Sequence, residues 1–118
     1  MSFRKTILCD FDSVLHNYSP DWLGNAAIPG LPVPGTIEWL CEMVEHFNVA
    51  IYSSRSCSKR GLPAMIVYLK KHGALVEKLD FPTQKLPAHL TIDDRAFCFK
   101  GTFPTTEWIK AFKPWNKR

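Results

Sequence analysis

No apolar run in this chain approaches the ~18 residues needed to cross a bilayer. The opening Met1-Ser2-Phe3-Arg4-Lys5-Thr6 passes into a strand-like run without the apolar core or cleavage site of a secretory leader. A cytoplasmic location is the expectation. Cys9, Cys41, Cys57 and Cys98 form no C-x-x-C pair, and Cys9, Cys41 and Cys98 sit in or beside apolar segments, as packed core thiols do. Cys57 falls in a polar loop with no base beside it, which leaves a cysteine-dependent mechanism without support. His16, His46, His72 and His89 are scattered rather than set at zinc-site spacings. The chain also lacks internal repeats, low-complexity tracts and linkers, so its 118 residues are expected to form one domain, 1–118. With 46% hydrophobic and 22% charged residues, disorder is excluded.

What is present is an alternation of short apolar runs and amphipathic stretches. Thr6 to Cys9 reads as a buried strand. Ser13 to Pro34, with Pro20, Pro29, Pro32, Pro34, Gly24 and Gly30, resists regular structure. Roughly twenty irregular residues inside a small domain suggest a flap or functional loop. Pro34-Gly35-Thr36 then opens a helix whose Ile37, Leu40, Cys41 and Val44 fall on one face, with Glu38, Glu42 and Glu45 outward, ending near Asn48. Val49 to Tyr52 reads as a second strand. A second helix from about Leu62, with Leu62, Met65, Ile66 and Leu69 on one face, stops at His72-Gly73. Further strands are expected at Leu79 to Phe81, His89 to Ile92 and Ala96 to Phe99, then a short helix from Glu107 to Phe112 closed by Pro114. This order predicts an α/β, Rossmann-like domain with a parallel sheet of about five strands and helices on both faces.

In a sheet of that kind, ligands sit beyond the carboxyl ends of the strands. Three expected strands end there in polar groups: Asp10 and Asp12, then Ser53 in Ser53-Ser54-Arg55, then Asp93 and Asp94. Two carboxylates one residue apart repel unless a cation or a shared proton relieves them. Magnesium takes oxygen ligands, commonly one or two carboxylates with waters and a substrate phosphate; Asp10 and Asp93 are the candidates. A carboxylate can attack phosphorus to give an aspartyl-phosphate, splitting one hard hydrolysis into two easier steps. Asp12, two residues on, is placed to handle protons in both steps. A hydroxyl and an ammonium suit the phosphoryl oxygens, and Ser53 and Lys85, the latter in a loop bracketed by Pro82 and Pro87, are the candidates.

The order Asp10-Phe11-Asp12-Ser13-Val14-Leu15, a strand ending in Ser53, then Lys85, then Ile92-Asp93-Asp94 resembles the four motifs of the haloacid dehalogenase superfamily of phosphohydrolases. The resemblance spans about residues 6–100. It implies Asp10 as nucleophile, Asp12 as general acid/base, Ser53 and Lys85 as phosphate binders, and magnesium held by the Asp10 side chain, the Asp12 carbonyl and Asp93, with Asp94 a supporting acid. The Asp at position 12 favours a phosphatase over a dehalogenase. Neither gap between motifs has room for more than a flap, so the resemblance is to capless members, whose open sites often admit large substrates.

Weaker signals surround these. Ser54 and Arg55 extend the phosphate-binding serine as candidate substrate contacts, Arg55 having a surface charge as its alternative. Trp22 suits stacking on a base or, better, packing of the flap, while Trp39, Trp108 and Phe112 read as core or helix-packing residues. His16, close after the first motif, suits a substrate contact or, better, a turn or surface position, and His89 reads as structural. The net charge of +4 is partly concentrated in a basic tail, 110–118, with Lys110, Lys113, Lys117 and Arg118, and in Arg55, Lys59 and Arg60. Such clusters attract phosphates or simply solubilise. The expected function is a magnesium-dependent phosphomonoesterase acting on a small phosphorylated molecule, a nucleotide or a nucleic-acid end. A metal-dependent nuclease or a nucleic-acid-binding protein using the same acids is the alternative.

Overall fold

The computed structural model describes residues 4–17 and 23–117. Trp22 and Arg118 lie outside the described residues, and with them the readings placed on them. Strand β1 (Thr6–Cys9) leads through the flap to helix α1 (Thr36–His46). Strand β2 (Asn48–Ile51), helix α2 (Gly61–Lys71), strand β3 (Leu79–Asp80), strand β4 (Leu90–Ile92) and helix α3 (Thr106–Ala111) follow. The sheet runs β3-β2-β1-β4, with every pair parallel. None of the helices among the described residues is long and apolar enough to cross a membrane.

In-register neighbours explain the layering. Ile7 pairs with Val49 and Leu90, and Cys9 with Ile51 and Ile92, so these residues share one face, with side chains alternating along each strand. Cys9, Val49, Ile51 and Leu79 join Leu40, Val44, Met65 and Leu69 of α1 and α2 in the core. Both crossovers step the same way along the sheet, so the right-handed rule puts α1 and α2 on the same face. Leu8 and Ala50 point to the other side and are also buried, as strands of a covered parallel sheet are.

Three expectations need correction. The sheet has four strands among the described residues, not five. Ala96 to Phe99 forms no strand: Phe97 and Phe99 are 42% and 53% exposed. Their rings pair locally, Phe97 with Trp108 at 5.1 Å and Phe99 with Phe103 at 4.8 Å, in place of pairing with the sheet edge. Helical cover is not provided on both faces in the expected way. Residues 81–89 cross from β3 to β4 without a helix, Pro82 and Pro87 preventing one, and α3 is exposed along its whole length. Cys98 and Trp108 are accordingly exposed, not core.

The flap acquires order in its described parts. Asn17 N–H donates to Leu31 O (2.9 Å) and Val33 N–H to Leu15 O (2.8 Å), pairing 15–17 against 31–33 as an antiparallel ribbon. A Cβ at Gly30 would stand 2.2 Å from Asn17 O and 2.8 Å from His16 Nε2; only glycine fits that approach.

Candidate active site

The parallel ladder continues one step beyond the strands. Asp10 N–H donates to Ile92 O (2.9 Å) and Tyr52 N–H to Cys9 O (3.0 Å). The residues that end β1, β2 and β4 are thereby set side by side. Asp10, Asp12, Ser13, Ser53, Ser54, Asp93, Asp94, Arg95 and Lys117 line one cavity of about 470 Å³. A smaller cavity of about 220 Å³ is lined by Lys85 together with Asp10, Ser53, Ser54 and Asp93. The structure therefore brings together Asp10, Asp12, Ser53, Ser54, Lys85 and Asp93 around one edge of the sheet.

Carboxylate oxygens of Asp10, Asp93 and Asp94 lie within 4.8 Å of one another. Burial pushes the Asp10 carboxyl up, the Phe11 N–H that it accepts (2.8 Å) draws it down, and the neighbouring Asp93 and Asp94 push it up again, to about 7. Asp94 is a fuller member of this group than its sequence position suggested: its side chain is 5% exposed, with Arg95 Nε at 3.9 Å. Arg95 N–H in turn donates to Asp93 Oδ1 (2.8 Å). The Cys9 thiol beneath is pushed to about 12 by burial and then by the same acids, so it stays protonated.

Asp12 has the opposite environment. Arg55 grips it bidentately, Nε to Oδ2 and Nη2 to Oδ1 at 3.0 Å each. His16 Nδ1 lies 2.9 Å from Oδ1. Gly30 N–H donates to His16 Nε2 (3.0 Å), so the ring proton sits on Nδ1 and points at Asp12. Burial works against the Asp12 charge, but the hydrogen bonds from His16 and Arg55 and the charge of the Arg55 guanidinium outweigh it, and the carboxyl is held below its ordinary value.

No protein-family model, curated protein or solved structure matches this chain.

Arg55 is placed away from the open cavity. It is 1% exposed, and beyond Asp12 its Nη1 donates to the carbonyls of Gly24, Asn25 and Ala27 in the flap. Its guanidinium also rests over the Phe11 ring, 5.7 Å from the centroid. It thus ties the flap to Asp12, a different placement from the direct substrate contact considered from sequence. Ser53 is buried and caps the 3-10 turn Ser54–Cys57: its Oγ accepts from Arg55 N–H (3.0 Å) and donates to Met65 Sδ (3.4 Å). A thioether is a weak acceptor, so a phosphate oxygen would compete well for that hydroxyl. Cys57 Sγ donates to Thr83 O (2.9 Å), linking this turn to the Lys85 loop.

His16, read from sequence chiefly as a turn or surface histidine, is instead a buried neighbour of Asp12. It is buried, stacked on Phe11 at 5.7 Å, and edge-on to Tyr68 at 5.5 Å, whose hydroxyl donates to Gly30 O (2.9 Å). The Asp12-x-x-x-His16 spacing was the available signal. Nothing local marked Arg95 or Lys117 as cavity residues.

Proposed function

We propose that this protein is a magnesium-dependent phosphomonoesterase that works through an aspartyl-phosphate on Asp10. The observation that carries the reading is the convergence of the Asp10, Asp93 and Asp94 oxygens within 4.8 Å in a cavity that also presents Ser53 and Ser54. The motif order resembling the haloacid dehalogenase superfamily supports the same assignment.

The donor set suits a hard divalent cation. It is all oxygen, and Asp10, raised first by burial and then by Asp93 and Asp94, carries a repulsion from those acids that a cation would relieve. Asp10 and Asp93, with Asp94 beside them and the Asp12 carbonyl by resemblance, would hold it. When bound, magnesium would offset the clustered negative charge and attract the phosphoryl oxygens.

The chain's own groups divide the remaining work. Asp10 Oδ attacks phosphorus, and the ester oxygen leaves with the bonding pair and takes up a proton. Water then attacks the aspartyl-phosphate, the acyl phosphate P–O bond breaks, and Asp10 returns as a carboxylate with release of inorganic phosphate. Asp12, held ionised by Arg55 and His16, rests in the form that accepts the water's proton. In the first step Asp12 has to take a proton from solvent and give it to the leaving oxygen, which the same bonds oppose, so release of Asp12 from part of its grip belongs to that step. Ser53 Oγ–H and Lys85 meet the phosphoryl oxygens.

Phosphate release from a panel of phosphomonoesters with magnesium tests this. Activity is expected, lost in excess chelator and reduced at least a thousandfold, on the order of nucleophile removals, in Asp10→Asn with circular dichroism unchanged. Undiminished release by Asp10→Asn, or in chelator, would overturn it.

A further inference from the structure

The same cavity contains a charge that hydrolysis of a simple phosphomonoester does not use. Of its four carboxylates, Asp10, Asp93 and Asp94 form the acidic group and Asp12 is paired with Arg55. Of its two cations, Arg95 stands 3.9 Å from Asp94, whereas Lys117 makes no ion pair among the described residues. Lys117 comes from the far end of the sequence and is delivered by a specific attachment. Pro114 is buried, Trp115 Nε1–H donates to Ser13 O (2.7 Å), and Asn116 Nδ2–H donates to Ser13 Oγ (3.1 Å).

The point of attachment is itself unusual. Ser13 is the one non-glycine residue with positive φ among the described residues, at +66°. It is buried, its N–H is held by His16 O (2.8 Å), and it directly follows Asp12. A strained backbone conformation persists where surrounding bonds enforce it, and such positions cluster at functional sites. Here two of the enforcing bonds are made by the strap of residues 114–117. A cavity of about 470 Å³ lies within the ~300–1,000 Å³ of small-molecule sites and is larger than one phosphoryl group requires.

We infer that the strap is part of the active site and that Lys117 binds a second phosphate of the substrate, so that the preferred substrates are phosphomonoesters bearing a further phosphate group. The inference rests on the phosphomonoesterase reading for the first phosphate. Trp115 and Asn116 are positioning residues that fix the strap; Lys117 makes the contact. Lys85 and Ser53 serve the reacting phosphate and Lys117, which lines the larger cavity where Lys85 does not, the second. An ammonium donates to a phosphate as a compact charge, and losing one such contact weakens binding by about tenfold or more.

Calorimetric titration of the full chain carrying Asp10→Asn, in magnesium, separates this inference from the reading beneath it. The probes are adenosine 5′-monophosphate, adenosine 3′,5′-bisphosphate and a 5′-phosphorylated dinucleotide, whose second charge is a diester. At least one of the probes with two phosphate groups is expected to bind about tenfold more tightly than the monophosphate, and which one does so tells a terminal second phosphate from a nucleic-acid backbone. Adding Lys117→Ala should erase that preference and Lys117→Arg retain it. Trp115→Phe, which keeps the ring and removes the indole donor, should reduce it. Equal affinities for all three probes, no binding of any, or a preference that survives Lys117→Ala would overturn the inference. A Lys117-dependent preference in a wild-type protein that releases no phosphate would instead remove the hydrolytic reading and leave the subsite.

Discussion

Asp10 and Asp12 are separated by one residue and are pulled in opposite directions. Asp10 is raised to about 7 by burial and by Asp93 and Asp94, so the folded protein retains a proton that the unfolded chain gives up. In metal-free protein its contribution to stability therefore falls as pH climbs from its ordinary value, 3.8, and is at its lowest above about 7. Asp12 is depressed, so its contribution is present above the ordinary carboxylate range and is lost only as pH falls through its lowered value. In chelator, the thermal midpoint is expected to decline between about pH 4 and pH 7, with Asp10→Asn flattening the decline and melting higher than wild type at the alkaline end. Magnesium should raise the wild-type midpoint, most clearly above pH 7, where a proton no longer competes with the cation for Asp10. Scanning fluorimetry reads both, and an Asp10→Asn protein that melts lower than wild type at the alkaline end would contradict the account. The pairing Asp-x-Asp was plain in the sequence. The opposite pulls were not, because they come from Arg55, 43 residues away, and from the acids ending β4, neighbours that only the folded sheet supplies.

At the scale of elements, the flap is bound to the site by three groups. Arg55 collects its carbonyls, Tyr68 takes Gly30 O, and His16 Nε2 takes Gly30 N–H while its other nitrogen holds Asp12. Gly30 is the residue on which two of these bonds meet. Gly30→Ala would drive a Cβ into Asn17 O, and an overpacked site of this kind costs about 1–3 kcal/mol. Urea unfolding should show that loss together with weaker phosphate release, since His16 would be displaced from Asp12; a variant as stable and active as wild type would mean that the flap does not position Asp12. The proline-rich composition identified the flap but not its inner ribbon, because the pairing of 15–17 with 31–33 depends on close backbone approach. The helices were readable from their spacing: Leu40 and Val44, then Met65 and Leu69, are buried where the pattern put them. Ala96 to Phe99 misled for the reason that aromatic residues favour strands only when a sheet edge is available to receive them, and here the rings found one another first.

The whole molecule is broad and shallow, 43 × 41 × 27 Å, with a radius of gyration of 15.1 Å. A compact domain of this length would have roughly 13.5 Å. The excess comes with an exposed segment after β4 that carries Phe97, Phe99, Phe103, Trp108 and Ile109 on its surface before Trp115 returns to Ser13. Groups from the beginning, middle and end of the chain thus meet at one edge of a four-stranded sheet. Motif order made the candidate residues legible because they follow strands: Asp10 and Asp12 follow β1, Ser53 follows β2 and Asp93 follows β4. Lys117 was read only as part of a basic tail, since its place depends on a contact spanning 102 residues between Trp115 and Ser13. In the proposed mechanism Asp10 carries the phosphoryl group during turnover. Rapid acid quenching of the protein with magnesium and a hydrolysed phosphomonoester, followed by mass spectrometry of the peptide containing Asp10, measures this directly. One phosphoryl group is expected on Asp10 and none on that peptide in Asp10→Asn; a phosphoryl group trapped on another residue, with turnover continuing in Asp10→Asn, would overturn the assignment of Asp10 as nucleophile.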